Sequence, residues 1–189
     1  MEYYIRTGEL REIRELYYPV RLKPKGENSL ANLKQGVDHI ELRMLDLNPF
    51  SPVGISKEDL DFLQLFLFYL AAQEDMSFSE KKQKWALQNA KKAAEFDDRS
   101  IRILTGNGTS VPLRELALRE LLDMERFYQQ GNQPSAVRSI QYQQKKIQCP
   151  HKRYAEKVQK EYGHHFVRHG IHLAKIYAEK IGEEVPIYV

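Results

Sequence analysis

Cysteine is nearly absent from this 189-residue chain, which carries Cys149 alone and a single tryptophan, Trp85. One cysteine excludes an intrachain disulfide framework and suits a reducing compartment. Long apolar runs are also missing. The stretch 60–72 is interrupted by Asp61 and Gln64 and falls short of the roughly 20 residues that cross a bilayer. No basic-then-apolar leader follows Met1, so a cytoplasmic location and no membrane partner are expected. Charge of one sign is not in large excess: 29 Lys and Arg face 26 Asp and Glu, giving +3 and a pI near 8.8. That balance suits an anionic ligand without demanding nucleic acid. Internal repeats and low-complexity linkers are lacking too. The length fits one domain over residues 1–189, with a sheet-forming part at 1–54 and a mainly helical part at 55–189.

The most informative stretch runs from Val37 to Gly54. Val37 to Asp46 alternates as a half-buried strand does, with Ile40, Leu42 and Met44 on one face and His39, Glu41 and Arg43 on the other. Residues two apart on a strand stand roughly 6.5–7 Å apart and point the same way. Glu41 and Arg43 are thereby paired on the polar face, at a spacing suited to an anionic group and its metal ion. Asn48-Pro49-Phe50-Ser51-Pro52 ends the strand, because proline lacks the ladder donor and restricts the residue before it. Read blandly, Glu41 and Arg43 are an ion pair on a solvated face.

Ahead of it, Glu12 to Lys23 repeats the pattern. Leu16, Tyr18, Val20 and Leu22 form one face, and Glu15, Tyr17, Arg21 and Lys23 the other. Pro19 points to an edge or a bulge in that strand.

The wording of both segments resembles glutamate–cysteine ligase (γ-glutamylcysteine synthetase). The carriers are Val37-Asp-His-Ile-Glu-Leu-Arg43 followed by Leu45-Asp-Leu-Asn-Pro-Phe-Ser-Pro-Val-Gly54, and Glu15-Leu-Tyr-Tyr-Pro-Val-Arg-Leu-Lys23 upstream. A Pro134-Ser-Ala136 helix start is similar as well, whereas a Glu-Gly-Arg motif of the family is replaced by Asn89-Ala-Lys-Lys-Ala-Ala94.

The resemblance implies an α+β fold. It would be an antiparallel sheet segment, half of a glutamine-synthetase-like active-site cup, covered by and followed by helices. It implies ATP-dependent ligation of the glutamate γ-carboxylate to the cysteine amine through γ-glutamyl phosphate, the first step of glutathione biosynthesis. By the same resemblance Glu41 holds magnesium or manganese, Arg43 neutralises the transferred phosphoryl group, Arg21 and Lys23 serve phosphate or nucleotide, and Tyr17 lines the cysteine pocket. Hard divalent cations favour carboxylate oxygens, and a guanidinium fork matches a phosphoryl group. The partners implied are glutamate, cysteine, ATP and a missing N-terminal half of the ligase domain. The chain then reads as the C-terminal portion of such an enzyme, bifunctional or not, and as inactive on its own.

Downstream, Ser29 caps a short helix ending at Gly36, and Ser56, with Asp59 three residues on, caps another. That second helix, 57–73, is apolar almost all round and reads as a central core element, with Phe62, Leu63, Phe66 and Leu70 inaccessible. Ser79–Phe96 reads as a surface helix with a solvated lysine face. Residues 101–104 and 110–112 form a hairpin whose Gly106-Asn107-Gly108 loop lacks the lysine and length of a P-loop, leaving turn chemistry. Leu113–Gln130 is amphipathic, Pro134 opens the next helix, and a last helix spans His151–Lys180 with Gly163 and Gly170 as weak points. His165, His169 and His172 share that helix's spacing, but no HExxH accompanies them, so a histidine-rich surface is the reading. Cys149 reads as a half-buried cysteine. Two other classes stay open: an interaction module without catalysis, and a weakly basic nucleic-acid binder, for which only scattered lysines speak.

Overall fold

The computed structural model describes residues 5–12, 15, 18–75, 77–95 and 100–184, with the side chains of 183 and 184 excepted. It divides into two compact units, residues 1–47 and 48–189.

The first unit is built on a two-stranded antiparallel ribbon, β1 (Val20–Lys23) and β2 (His39–Leu42). Arg21 faces Glu41 and Leu22 faces Ile40 across it. Backbone bonds from Asp38 N to Lys23 O (2.9 Å) and from Arg43 N to Pro19 O (2.8 Å) extend the pairing at both ends. Between the strands lies α1 (Leu30–Gln35), capped as expected by the Ser29 hydroxyl, which accepts from Asn32 N at 3.2 Å. The strands are shorter than the 12–23 and 37–46 read from the pattern, and Leu16 and Tyr17 lie outside the described residues.

Burial on the ribbon runs opposite to expectation. Leu22 is 51% exposed, Ile40 39% and Met44 53%, whereas the Arg21 and Lys23 side chains retain only 13% and 23%. The apolar side anticipated under helices is therefore open among the described residues. Two strands alone bury little, and here the charged side chains have folded onto one another instead.

The second unit is helical around α2 (Lys57–Ala71), α4 (Leu113–Gln130) and α5 (Pro134–Gln148), with α3 (Glu80–Ala93) between the first two in sequence. Met124 and Ile140 are buried to 1% and 0%, joined by Tyr69, Leu121, Tyr128 and Ala136. The core thus centres on α4 and α5, which a three-residue turn at 131–133 folds back on each other. Helix α2 is a correction: only Tyr69 is buried, Phe62, Leu63 and Phe66 are half-buried, and Leu70 and Phe68 are 48% and 61% exposed. Its uniform apolarity gave no direction, so one face meets the α4–α5 pair and the other stays open. A hydrogen bond from the Tyr128 hydroxyl to Leu65 O at 2.7 Å fixes the contact.

The hairpin β3 (Arg102–Leu104) and β4 (Ser110–Pro112) packs on α3. Asn89 imitates a neighbouring strand, donating to Leu104 O (2.7 Å) and accepting from Leu104 N (2.9 Å). Gly108 has φ +86°, and a Cβ there would lie 2.7 Å from the Trp85 ring, so glycine is required twice over. After Cys149, which is half-buried and free, a 3₁₀ turn (Pro150–Lys152) precedes α6 (Tyr154–Tyr162). The single terminal helix read from sequence is broken at Gly163 (φ +48°), and α7 (Phe166–Glu184) follows with Gly170 inside it. No helix among the described residues is long and apolar enough to cross a membrane.

Candidate active site

On the polar face of the ribbon, strand alternation and register bring Arg21, Lys23 and Glu41 to one place, and Arg43, just past β2, joins them. Glu41 is the hub. Its Oε2 lies 2.9 Å from Lys23 Nζ and 3.9 Å from Arg21 Nη1, and its Oε1 accepts a hydrogen bond from Arg43 Nε. The Lys23 and Arg43 hydrogen bonds outweigh the smaller desolvation penalty and hold the Glu41 carboxyl down at about 2. Three cations against one carboxylate leave the Glu41 cluster at +2. His39, on the same face by register, is 62% exposed and pairs with Asp38 at 3.0 Å. Tyr17 lies outside the described residues.

These residues do not by themselves fit a metal ion. Among the described residues no group of three or more His, Cys, Asp or Glu side chains converges. A divalent cation at Glu41 would have to replace the Lys23 and Arg43 contacts, and a hard cation needs several oxygens. His169 stacks on Tyr162 at 5.6 Å, and His165 sits in the 3₁₀ turn before α7.

In the second unit, the Asn-Pro-Phe-Ser-Pro stretch is a closed turn. Asn48, 4% exposed, accepts from Phe50 N through its side chain (3.0 Å), while its own N–H donates to Gly54 O (2.7 Å). Ser51 Oγ donates to Ile55 O (2.7 Å). The Phe50 ring packs 6.4 Å and 6.1 Å from the Tyr154 and Tyr162 rings of α6, and Tyr177 of α7 donates to Pro49 O (3.1 Å). The turn is therefore fixed by helices more than a hundred residues later in the chain.

Sequence reasoning gave Asp59 only a capping part, but it organises a second polar cluster. Its Oδ1 accepts from Gln143 Nε2 (2.8 Å) and Lys146 Nζ (2.5 Å), and its Oδ2 from Ser56 Oγ (2.8 Å) and the Tyr154 hydroxyl (2.7 Å). Burial would raise its carboxyl, yet the hydrogen bonds from Lys146, Gln143, Tyr154 and Ser56 win and bring it to about 2. Burial pushes the Tyr154 hydroxyl well above the ordinary tyrosine value. Lys146 also lies over the Tyr142 and Tyr154 rings at 4.7 and 4.4 Å. The sequence signal was faint: Gln143 and Lys146 stand three apart on α5, but nothing local said they would meet Asp59.

With this geometry in place, comparison gives the class of protein that the chain resembles. The family model described as Glutamate-cysteine ligase matches residues 4–93, the span that carries the ribbon, the closed turn and Asp59. Over that span the chain is similar to glutamate–cysteine ligase, and it matches only part of that enzyme's length. Among particular proteins, the Glutathione biosynthesis bifunctional protein GshAB of Listeria monocytogenes is 31% identical over 182 residues, which is 94% of this chain and 24% of the relative. Glutamate–cysteine ligase of Baumannia cicadellinicola is 46% identical over 82 residues, covering 40% of this chain and 16% of that one. The crystal structure of Glutamate–Cysteine Ligase from Francisella tularensis in complex with AMP superposes with a TM-score of 0.81 at 20% identity, over 90% of this chain and 36% of that chain. At that identity the likeness speaks for the α+β fold, its small antiparallel sheets and its helices. The chain spans about a quarter of the length of the bifunctional relative it matches.

Proposed function

We propose that this chain is the C-terminal portion of a glutamate–cysteine ligase catalytic domain, serving ATP-dependent joining of the glutamate γ-carboxylate to the cysteine amine. The observation that carries the reading is the Glu41 cluster. One carboxylate is held between Lys23, Arg43 and Arg21 in a cluster of net positive charge, inside the span that the family model matches.

Transfer of a phosphoryl group to a carboxylate brings anions together and asks the protein for positioning and charge neutralisation more than for covalent chemistry. Arg43 is proposed to face the transferred phosphoryl group, since its planar fork spans two oxygens. Arg21 and Lys23 are proposed to receive the remaining phosphate charge. Glu41, ionised at any physiological pH, fixes the directions of these cations before an anion arrives. That preorganisation is the part of catalysis this face can supply. Tyr17 is proposed to contact the cysteine substrate. In an assembled enzyme Glu41 is also proposed as one ligand of a magnesium or manganese ion, which would replace its Lys23 and Arg43 contacts and need further oxygens from the rest of the ligase; no step above depends on that ion. The AMP bound to the Francisella protein supports a nucleotide as co-substrate here. A single cysteine fits a cytoplasmic setting.

The test is phosphate release from ATP that depends on both amino acids, measured for this chain with and without the N-terminal remainder of a related ligase. The pair is expected to be active and this chain alone inactive. Arg43→Lys in the pair is expected to lower turnover by about 100-fold or more, the scale of losing one oriented donor. Activity of this chain alone would overturn the fragment reading. An inactive but stable pair would favour an interaction module, a reading to which the open Leu22/Ile40 side gives some support.

A further inference from the structure

Between α3 and the β3–β4 hairpin lies a cleft of about 250 Å³ that the ligase reading does not use. One wall is aromatic, formed by the half-buried Trp85 and by Phe78, which stands just ahead of α3 and is 56% exposed. Thr105 and Gly106 of the hairpin supply the other wall. Asn89 joins the two, both ends of its amide being spent on Leu104 N and O. Lys82 also lines the cleft; it is exposed, and its ammonium has no partner among the described residues. No acidic side chain among the described residues lines it, and Glu80, two positions before Lys82, is paired with Lys84 at 2.8 Å. Lys81 stands over the Trp85 ring at 4.9 Å without lining the cleft, and adds to the positive charge beside it. Two features set this place apart from the chemistry that the ligase family shares. The family model's match ends at residue 93, short of the hairpin wall. Helix α3 also carries Asn89-Ala-Lys-Lys in place of the family's Glu-Gly-Arg, and it is Asn89 that ties the hairpin to the helix.

We propose that this cleft binds a small planar aromatic anion, its ring against Trp85 and Phe78 and its carboxylate or phosphate at Lys82. Ligand sites are mostly apolar with a few placed polar groups, and a volume just under the usual range of roughly 300–1,000 Å³ selects a ligand built on one flat ring system. Stacking on an aromatic wall tolerates many rings, whereas an ammonium without a carboxylate selects negative charge. A side chain from the remainder of the ligase is the competing occupant. An apolar one would fill the aromatic half of the cleft but leave Lys82 without a counter-charge. The site is independent of the ligase reading, since every residue of the Glu41 cluster belongs to the first unit and every residue named here to the second.

The probes are AMP and para-toluate, which carry the two anionic groups, each beside its uncharged counterpart, adenosine or para-toluamide. Binding to the full chain is read from quenching of the lone tryptophan for the first pair and from saturation-transfer NMR for the second. At least one anion is expected to bind about fivefold more tightly than its counterpart, the scale of one exposed ion pair. Lys82→Met is expected to bring that ratio to about one. Phe78→Ala is expected to weaken the anion and its counterpart alike by about fivefold or more, the scale of losing one stacking partner. Both positions face solvent, and circular dichroism should report both variants as folded. Arg43→Gln is expected to leave this binding unchanged, which separates the cleft from the Glu41 cluster. Binding of AMP alone upholds the proposal with a phosphate as the anion, and binding of para-toluate alone upholds it with a carboxylate. Binding of neither anion, equal affinity for charged and uncharged members, or a preference that survives Lys82→Met overturns it. So does a preference that Arg43→Gln removes. Loss of the Lys82-dependent binding when the N-terminal remainder of a related ligase is added overturns it as well, and assigns the cleft to packing against that remainder.

Discussion

Replacing Asp59 by asparagine removes the charge at the centre of the Ser56, Gln143, Lys146 and Tyr154 cluster while keeping the shape. In the folded chain the carboxyl sits at about 2 against an ordinary value of 3.8. Such a drop corresponds to roughly 2–3 kcal/mol. The side chain keeps 17% exposure, so screening brings the expected loss at neutral pH to about 1–2 kcal/mol. Because the folded value is the lower one, this contribution is complete well above pH 3.8. It declines as the pH falls towards 2, where the folded carboxyl also takes up its proton. Urea unfolding followed by helical circular dichroism, at pH 7 and at steps down to pH 2, is the assay. Asp59→Asn should lie below the parent at pH 7 and meet it near pH 2. A second variant, D59N/K146M, should regain part of the loss by removing the lysine left without its carboxylate. A gap under about 0.5 kcal/mol at pH 7, or one that stays constant down to pH 2, refutes the assignment of Asp59 as a charged anchor.

Three shorter predictions follow from the same geometry. Ile140→Ala empties a fully buried site between α4 and α5 and should cost about 2–5 kcal/mol in the same unfolding assay. Gly108→Ala drives a methyl into Trp85 at positive φ, so it should destabilise by about 1–3 kcal/mol and change the emission of the lone tryptophan; an unchanged spectrum and midpoint would deny the contact. Glu41→Gln in the reassembled ligase should lower turnover by about 100-fold or more while leaving the helical melting curve in place, whereas a shifted melt with normal turnover marks a purely structural ion pair.

Much of the chain's punctuation could be read from local chemistry. Ser29, Ser56 and Ser79 accept the capping hydrogen bonds of their helices, Gly108 turns the hairpin, and α4 begins and ends at Leu113 and Gln130 as its spacing indicated. These are interactions among residues a few positions apart, so the sequence by itself determines them. The pairing of β1 with β2, and with it the company of Arg21, Lys23, Glu41 and Arg43, was legible because alternation dictates which side chains share a face. Direction was not legible. Periodicity told which residues stand together on β1, β2 and α2, but not which side another layer would cover, and there the expected burial of Ile40 and Leu70 failed. Tertiary structure alone decided that Asp59 meets Lys146 across 87 positions and that Pro49 meets Tyr177 across 128. Such contacts depend on where whole helices come to rest, which is settled by close packing around Met124 and Ile140 rather than by any local pattern.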